Sequence, residues 1–294
     1  MIRKLFCILC AYCCLAAPAC ARQLYRVMTC NIRVALPQDA DTGNGWATRR
    51  DVCFKVMKDH AADVYCLQEV VGSQYKDLCE SFPDYFVFGY EGPEMDNMPD
   101  TLYHGIAKNV IMFARKRFRL VGAGTYWLAE NPLCGGQLSW GTARARHVNW
   151  VRLEDRRTGR QFRVCSLHLD HVSQEARERQ IEIFLEEAAQ YPDTMPQILC
   201  GDFNARPDNP IIALRLPAHG WADVYRLLNG HYESFSAHRF LGRDYHPKKT
   251  PAQIDYIFTH GTGVRAAEAR FIKDDVGGKY PSDHFFLLAT IEVE

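Results

Sequence analysis

Short runs of apolar, β-branched and aromatic residues recur along the chain and are separated by polar segments. Runs of this length predict β-strands that are buried on at least one face. The predicted strands cover residues 25–30, 64–67, 110–113, 150–153, 162–167, 197–200, 254–258 and 285–293. Strands interrupted by a few helices are typical of a layered α/β or α+β fold with a large core.

Two segments between these strands carry apolar residues at helical spacing instead. The first is residues 49–60. The second is predicted to begin after Ser173, whose hydroxyl can cap a first turn, and to end before Pro192. No repeat, low-complexity tract or Pro/Gly/Ser-rich linker divides residues 22–294, so we predict a single domain there.

The amino-terminal segment has a different pattern, which is typical of an export signal. Arg3 and Lys4 precede an almost wholly apolar stretch, which ends in small residues suited to cleavage. We therefore predict a signal peptide at residues 1–21 and an exported protein, located in the periplasm, outside the cell or on its surface. An uncleaved anchor is disfavoured because the stretch is short, and no transmembrane segment is predicted in the mature chain. Lipid attachment at Cys20 is a less favoured alternative, because the residues before it fit a lipobox poorly.

Composition narrows the class of protein further. The chain has 294 residues, 35 of them basic and 35 acidic, and 47% are hydrophobic, which excludes an intrinsically disordered chain. Removal of Arg3 and Lys4 leaves 33 basic against 35 acidic residues, a formal charge of about −2. This balance argues against binding a long polyanion through charge alone. It leaves a phosphate-bearing substrate open.

Removal of the signal also changes the interpretation of the twelve cysteines. Five leave with the signal and seven remain (12 − 5), an odd number that cannot pair completely within one chain. Their spacing does not resemble a zinc site. Cys30, Cys66, Cys165 and Cys200 lie inside predicted strands, where a thiol behaves as a small apolar side chain. We predict that these cysteines fill the core.

Polar clusters stand at the ends of most predicted strands, and one lies within a strand. Strand ends of one sheet meet along a common edge, so we expect these side chains to converge. The clusters are Asn31; Gln68 and Glu69; His168, Asp170 and His171; Asp202 and Asn204; Asp255; and Asp283 and His284.

Each cluster alone has an ordinary explanation as a turn or a surface charge. Together they supply the carboxylate and amide oxygens that a hard divalent cation prefers. They also supply histidines, whose pKa suits proton transfer at neutral pH. Asp255 is costly inside a strand unless it is paired, and it is a candidate to orient a histidine. The convergent set predicts a metal-assisted hydrolytic site.

The same residues resemble the motifs of the endonuclease/exonuclease/phosphatase superfamily, which includes DNase I-like nucleases and inositol polyphosphate phosphatases. The most diagnostic motif is Gly201-Asp202-Phe203-Asn204. The resemblance implies an α/β fold of the DNase I type, a four-layer sandwich of two packed mixed β-sheets flanked by helices. The matching motifs keep the family order and occupy residues 29–33, 67–70, 166–171, 201–204, 253–258 and 281–284.

The resemblance also implies a metal site. Glu69 corresponds to the main Mg²⁺ ligand, with Asn31 and Asp283 contributing nearby. Mn²⁺ is a possible substitute for Mg²⁺.

The catalytic roles implied by the resemblance fall on five residues. His284, held by Asp255, activates or orients the attacking water. His168 binds and polarises the phosphoryl oxygens, and Asn204 donates a hydrogen bond to the developing charge. Asp202 handles a proton at the nucleophile or the leaving group. Whether Asp202 or His284 is the general base stays open.

Substrate-binding residues are implied by similarity to secreted bacterial members whose substrates are mostly unassigned. Arg146 is predicted to bind a phosphate, and Arg144 is a weaker candidate. Asp170 and His171 are predicted to contact the substrate or the residues that bind it.

The prediction is therefore a secreted, divalent-metal-dependent phosphoesterase that hydrolyses a phosphodiester or phosphomonoester by in-line attack of an activated water. A DNase-like nuclease is one alternative, and a non-catalytic ligand-binding protein on the same fold is another. The expected substrate is a small molecule, a sugar or lipid head group, or a nucleic acid, and no obligate protein partner is implied. Loops at residues 131–145 and 231–251 are predicted to influence substrate choice.

Overall fold

The computed structural model describes residues 23–95 and 106–294. The predicted signal peptide at residues 1–21 lies outside the described residues. The strands are β1 (Gln23–Asn31), β2 (Val64–Val70), β3 (Tyr85–Phe88), β4 (Lys108–Ala114), β5 (Phe118–Trp127), β6 (His147–Asp155), β7 (Gln161–His168), β8 (Gln197–Asp202), β9 (Ala222–Asp223), β10 (Asp255–His260), β11 (Val264–Ile272) and β12 (Phe286–Val293). The α-helices are α1 (Pro37–Asp41), α2 (Trp46–His60), α3 (Gly72–Ser81), α4 (Gln174–Ala188), α5 (Leu216–Ala218) and α6 (Val224–Asn229).

These strands form two six-stranded sheets of mixed direction. The first has the order β11-β12-β1-β2-β4-β3, and the second has the order β5-β6-β7-β8-β10-β9. In each sheet one pair is parallel, β1 with β2 and β7 with β8, while the neighbouring pairs are antiparallel. The parallel pairs matter for function, because they bring the carboxyl ends of two strands to one edge.

The inner faces of the two sheets pack against each other. Side chains that alternate along the strands fill this layer, and the ring of Tyr25 in the first sheet stacks on Phe162 in the second, with centroids 4.7 Å apart. Burial of each large apolar side chain here contributes about 1.5–3 kcal/mol relative to exposure. This layer holds the two sheets in a fixed relation, which the site at their common edge requires.

Helices cover the two outer faces. Apolar residues of α2 and α3 pack on the first sheet, and Ile181, Phe184 and Leu185 of α4 pack on the second. The result is the four-layer α/β sandwich that the motifs implied. The predicted cap of α4 is confirmed, because the Ser173 hydroxyl accepts the Ala176 N–H at 3.1 Å.

The sequence pattern did not predict the strands β5 and β11, which lie at the edges of the sheets. β5 and β11 are edge strands, and much of each lies half-buried or exposed, so neither shows a continuous apolar run. Gly124 in β5 has a packing reason, since a Cβ there would lie 2.8 Å from the Trp150 indole nitrogen. α3 was also missed, and α2 begins at Trp46 rather than at residue 49.

The cysteines occupy the positions predicted for them. Cys30, Cys66, Cys165 and Cys200 are free thiols, fully buried between the layers, which confirms their role as core filling. Within residues 23–95 and 106–294, none of the helices has the length and apolar character needed to span a bilayer.

Candidate active site

The register of the second sheet places three predicted site residues side by side. β7 and β8 run parallel, and His168 pairs with Asp202. β10 runs antiparallel to β8, and Asp255 is the partner of Asp202 on that side. Gly201 allows this approach, because a Cβ at that position would lie only 2.1 Å from the Leu167 carbonyl oxygen.

The first sheet contributes the facing group of residues. Asn31 ends β1, and its Nδ2 donates to Glu69 Oε1 at 3.1 Å and to Asp202 Oδ2 at 3.0 Å. Asp283 and His284 directly precede β12, which lies beside β1. Asn31 therefore links the acids of the two sheets.

Asp202 is the centre of the assembled site. His168 Nε2 lies 3.5 Å from its Oδ2, and His284 Nε2 lies 3.9 Å from the same oxygen. The other ring nitrogen of His284, Nδ1, is hydrogen-bonded to Asp255 Oδ2 at 2.9 Å. A carboxylate, an imidazole and a second carboxylate thus form a buried chain, in which Asp255 orients His284.

Both asparagines are hydrogen-bonded to neighbouring residues of the site. Asn31 Oδ1 accepts the Arg33 N–H at 3.0 Å, so the amide nitrogen rather than the oxygen faces the acids. Asn204 Nδ2 donates to His168 Nε2 at 2.9 Å and to the Leu169 carbonyl oxygen at 3.0 Å, which uses both of its N–H groups. In this arrangement each asparagine orients its neighbours.

Three residues of the site have a left-handed backbone. Arg33, Glu69 and Asn204 have φ angles of 57°, 65° and 47°. Such conformations cost of order 1–3 kcal/mol for non-glycine residues and persist where surrounding bonds hold them. Glu69 is held by the Val34 N–H, which donates to its Oε2 at 2.9 Å. The strain lies where the side chains must point into the site.

Burial and mutual contact shift the protonation of these groups. Burial and the neighbouring Asp255 carboxylate raise the pKa of Asp202 to about 7. Burial opposes ionisation of Glu69, but the Val34 N–H and nearby His284 together lower its pKa. Burial and Arg146 hold the pKa of His168 well below its usual range. These shifts leave Glu69 ionised and His168 neutral at neutral pH.

These groups form one side of a pocket of about 210 Å³. The opposite side comes from the end of the loop before β6 and from the segment after β7. The lining residues are Arg33, Glu69, Ile106, Ala107, Asn109, Arg144, Ala145, Arg146, His147, His168, His171, Asp202, Asn204, Asp283 and His284.

The predicted substrate-binding residues divide into two groups. Arg146 and His171 line the pocket, and Arg146 Nη2 donates to His171 Nδ1 at 3.4 Å. Asp170 is fully buried and accepts the backbone N–H groups of Ala143, Val172 and Ser173 at 2.8–2.9 Å. Of the two roles predicted for Asp170, the geometry favours the indirect one, which is to hold the loop that carries Arg144 and Arg146.

Other lining residues had no strong sequence signal. Arg33 is held by Asp39, through Nε to Oδ2 at 2.9 Å, and its Nη1 lies 3.5 Å from Asp283. His147 is buried, and the Asn109 N–H donates to its Nε2 at 3.3 Å. The sequence pointed to His147 only through its position next to Arg146.

The two predicted loops contribute unequally. The loop at residues 131–145 reaches the pocket through Arg144 and Ala145. No residue of the described loop at 231–251 lines the pocket, and its contribution is structural. The His238 N–H donates to the Asp283 carbonyl oxygen at 2.6 Å, so this loop supports the segment before β12.

Two sets of side chains could hold a divalent cation. One is the predicted set, in which the Glu69 and Asp283 carboxylates both line the pocket. The other is Asp202, Asp255 and His284, whose potential ligand atoms lie within 4.8 Å of one another. In the second set, however, the Asp255 and His284 atoms are bonded to each other at 2.9 Å. Hard carboxylate oxygens suit Mg²⁺ or Mn²⁺ better than an imidazole-containing set does.

Comparison with known families identifies the family of this chain. The model of the Endonuclease/Exonuclease/phosphatase family matches residues 28–284. The chain belongs to this family. Family members generally depend on a divalent metal, and the described residues contain a buried cluster of acids and histidine.

Individual members of the family are similar over most of this chain. Human nocturnin is 26% identical over 273 residues, which cover 83% of this chain and 57% of nocturnin. The chain thus spans little more than half the length of that relative. An endonuclease/exonuclease/phosphatase from Bacteroides vulgatus superposes with a TM-score of 0.78 and 25% identity, covering 92% of this chain and 100% of the other.

A third comparison concerns the fold. The mannosyl-6-phosphatase of Bacteroides thetaiotaomicron superposes with a TM-score of 0.79 at 24% identity, covering 91% of this chain and 99% of that enzyme. Membership of the family supports a hydrolase that acts on phosphoesters.

Proposed function

We propose that this protein is an exported, divalent-metal-dependent phosphoesterase that hydrolyses a small phosphate ester by in-line attack of water. The observation that supports this proposal most strongly is the position of Asp202. It lies 3.5 Å from His168 Nε2 and 3.9 Å from His284 Nε2, in a pocket that also contains Glu69, Asp283 and Arg146.

Glu69 and Asp283 are the proposed ligands of Mg²⁺ or Mn²⁺. Asn31 orients Glu69 relative to Asp202 through its two donated hydrogen bonds. A bound cation would neutralise part of the negative charge that develops on the phosphoryl oxygens. Arg33 lies beside Asp283 and limits the repulsion between the two acids when the cation is absent.

The remaining residues take part in proton transfer and surround the phosphoryl group. Asp202 takes the proton of the attacking water, and His284, fixed by Asp255, holds that water in line through its Nε2. His168 lines the pocket beside Asp202, and Asn204 fixes its ring. This assignment rests on the central place of Asp202 between the two histidines.

The substrate side of the proposal rests on the opposite part of the pocket. The buried Nε of Arg146 has no hydrogen-bond partner among the described residues, and its guanidinium donates to the exposed His171 at 3.4 Å. A guanidinium placed opposite catalytic acids suits a phosphate group.

The test is hydrolysis of a panel of phosphoesters by the purified mature chain. The panel contains nucleotides, sugar phosphates, inositol phosphates, phospholipids and DNA, each with Mg²⁺, with Mn²⁺ and with a chelator. His284→Ala and Glu69→Ala are assayed beside the wild type. We expect metal-dependent turnover of at least one small ester, and loss of most of it in both variants.

Each alternative corresponds to a distinct result. Turnover restricted to DNA would replace the proposal with the nuclease alternative. The absence of metal-dependent turnover on every ester, with the protein folded, would favour a ligand-binding protein. Unchanged activity in both variants would refute the site assignment even if hydrolysis is observed.

A further inference from the structure

Arg49 of α2 is fully buried and lies directly beneath the proposed metal site. We propose that Arg49 is a positioning residue for that site, because it fixes the turn that orients Asn31 and Glu69. The inference rests on the proposed function, since it concerns the residues that would bind the cation and their neighbours. It assigns a task to a residue with no role in the family motifs described above.

The acceptors of Arg49 are all backbone carbonyl oxygens. Its Nη1 donates to Ile32 and its Nη2 to Arg33, and a longer bond of 3.4 Å joins Nη2 to Val34. Its Nε donates to the Asn44 carbonyl oxygen at 3.0 Å. One guanidinium therefore holds three consecutive carbonyl groups of a single turn.

The charge of Arg49 interacts with the Asp283, Asp39 and Glu69 carboxylates only at longer range. Among the residues that the structure describes, Arg49 forms no ion pair within 4.0 Å, and its guanidinium lies over the Trp46 ring at 4.9 Å. A buried cation with no directly bonded counter-ion is costly, so an apolar side chain of similar volume would serve better if packing were the only requirement. The multiple donors in a fixed plane are the property that no apolar residue can replace.

The clamped turn is in direct contact with Asn31 and with the proposed metal ligand Glu69. The Arg33 N–H donates to Asn31 Oδ1 at 3.0 Å, and the Val34 N–H donates to Glu69 Oε2 at 2.9 Å. Arg33 has a φ of 57°, which its neighbours must enforce. Gln74 assists by donating from Nε2 to the Arg33 carbonyl oxygen at 2.8 Å.

Arg49 also reaches the other acidic segment. Its Nη1 lies 3.4 Å from the carbonyl oxygen of Pro281, two residues before Asp283. The turn after β1 and the segment before β12 are distant in sequence, and Arg49 ties them to the same helix. Loss of its donors is expected to let Glu69 and Asp283 separate.

A second buried arginine provides a matched control. Arg163 is also fully buried, but it lies in β7 away from the pocket and pairs with Glu187 at 2.6 Å. Its substitution should lower stability without touching the metal site. Comparison of the two arginines therefore separates positioning from general packing.

The experiment measures Mn²⁺ affinity and thermal stability on full-length mature protein. The variants are Arg49→Met, Arg49→Lys and Arg163→Met, with Mn²⁺ binding followed by electron paramagnetic resonance and Tm by circular dichroism. We expect Arg49→Met to weaken Mn²⁺ binding by about tenfold or more, as removal of groups that orient metal ligands usually does. Arg49→Lys should show a smaller loss, because it keeps the charge and some of the donors. Arg163→Met should lower Tm while its Mn²⁺ affinity stays within about twofold of the wild type.

Two results would overturn the inference. One is an Arg49→Met protein that binds Mn²⁺ like the wild type while its Tm falls as in Arg163→Met. If Arg49→Met does not fold, Arg49→Lys decides, and unchanged Mn²⁺ affinity in that variant refutes the positioning role. A wild type that binds no Mn²⁺ would remove the proposed function and this inference together, whereas binding that is unaffected by both Arg49 variants removes the inference alone.

Discussion

The two sides of the pocket are built in different ways. The side that we propose to be catalytic, called the catalytic floor below, consists of Glu69, His168, Asp202, Asp283 and His284, which lie at or next to strand ends of both sheets. Its members are tied together by hydrogen bonds through Asn31, Asn204 and Asp255. The opposite side, called the arginine wall below, consists of residues 144–147 and His171. Residues 144–146 belong to the loop that precedes β6.

We infer from this difference that separate groups of residues determine the reaction and the choice of substrate. The floor is fixed by strand register, so its geometry follows from the same core that stabilises the fold. The wall depends on a few bonds that hold a loop, and loops tolerate change more readily than strands do. We infer that the floor determines the reaction, and that the wall determines which phosphate ester enters.

Loss of the central floor carboxylate is expected to have the largest effect. Asp202→Asn keeps the shape of the side chain but removes its ability to take a proton. We expect kcat to fall by about 10³-fold, within the range for loss of a general acid or base, with a small change in KM. Steady-state kinetics on the best ester of the panel measures both constants. The control is Asp208→Asn, an exposed acid outside the pocket, and an equal loss in that variant would contradict the distinction.

Loss of the wall guanidinium is expected to have a smaller effect, of another kind. Arg146→Ala removes a charge-assisted donor from the substrate side, which is worth about 10–100-fold in binding. We expect KM to rise by about that factor while kcat changes little, with partial recovery in Arg146→Lys. A fall in kcat comparable to that of Asp202→Asn, with KM unchanged, would place Arg146 on the floor.

The smallest effect is expected from the anchor of the loop. The Asp170 carboxylate accepts hydrogen bonds from three backbone N–H groups. Asp170→Asn replaces one of its oxygens with an amide nitrogen, which donates and cannot accept these bonds. We expect KM to rise about threefold, and the free energy of unfolding to fall by about 1–3 kcal/mol. Kinetics and urea titration test the two effects. A decrease in kcat without a change in KM or stability would argue that Asp170 acts in the reaction itself.

Sequence patterns predicted the centre of the fold better than its edges. Central strands such as β8 and β12 are apolar on both faces, because helices or the second sheet cover them, and they stand out as runs. β5 and β11 have one neighbour each and an exposed side, so polar residues such as Arg265 and Glu268 interrupt the pattern. Their pairing depends on partners elsewhere in the chain.

The same contrast applies to the site. Asp202, Asp255 and His284 were predictable because each belongs to a polar cluster at or in a strand. The orientation of Asn31 was not, because it is set by the backbone N–H of Arg33 in a turn with left-handed geometry. His147 and Asn109 enter the pocket through contacts between strands, which no local pattern reveals.

The central claim is that the catalytic floor hydrolyses a phosphate ester with a divalent cation held at Glu69. The most direct test is phosphate release as a function of Mg²⁺ concentration, for the wild type and for Glu69→Gln, which keeps the side-chain shape and removes the charge. The account predicts saturable Mg²⁺ dependence in the wild type, and a requirement at least tenfold higher in Glu69→Gln. Hydrolysis that persists without any divalent cation, or an identical Mg²⁺ requirement in both proteins, would contradict it.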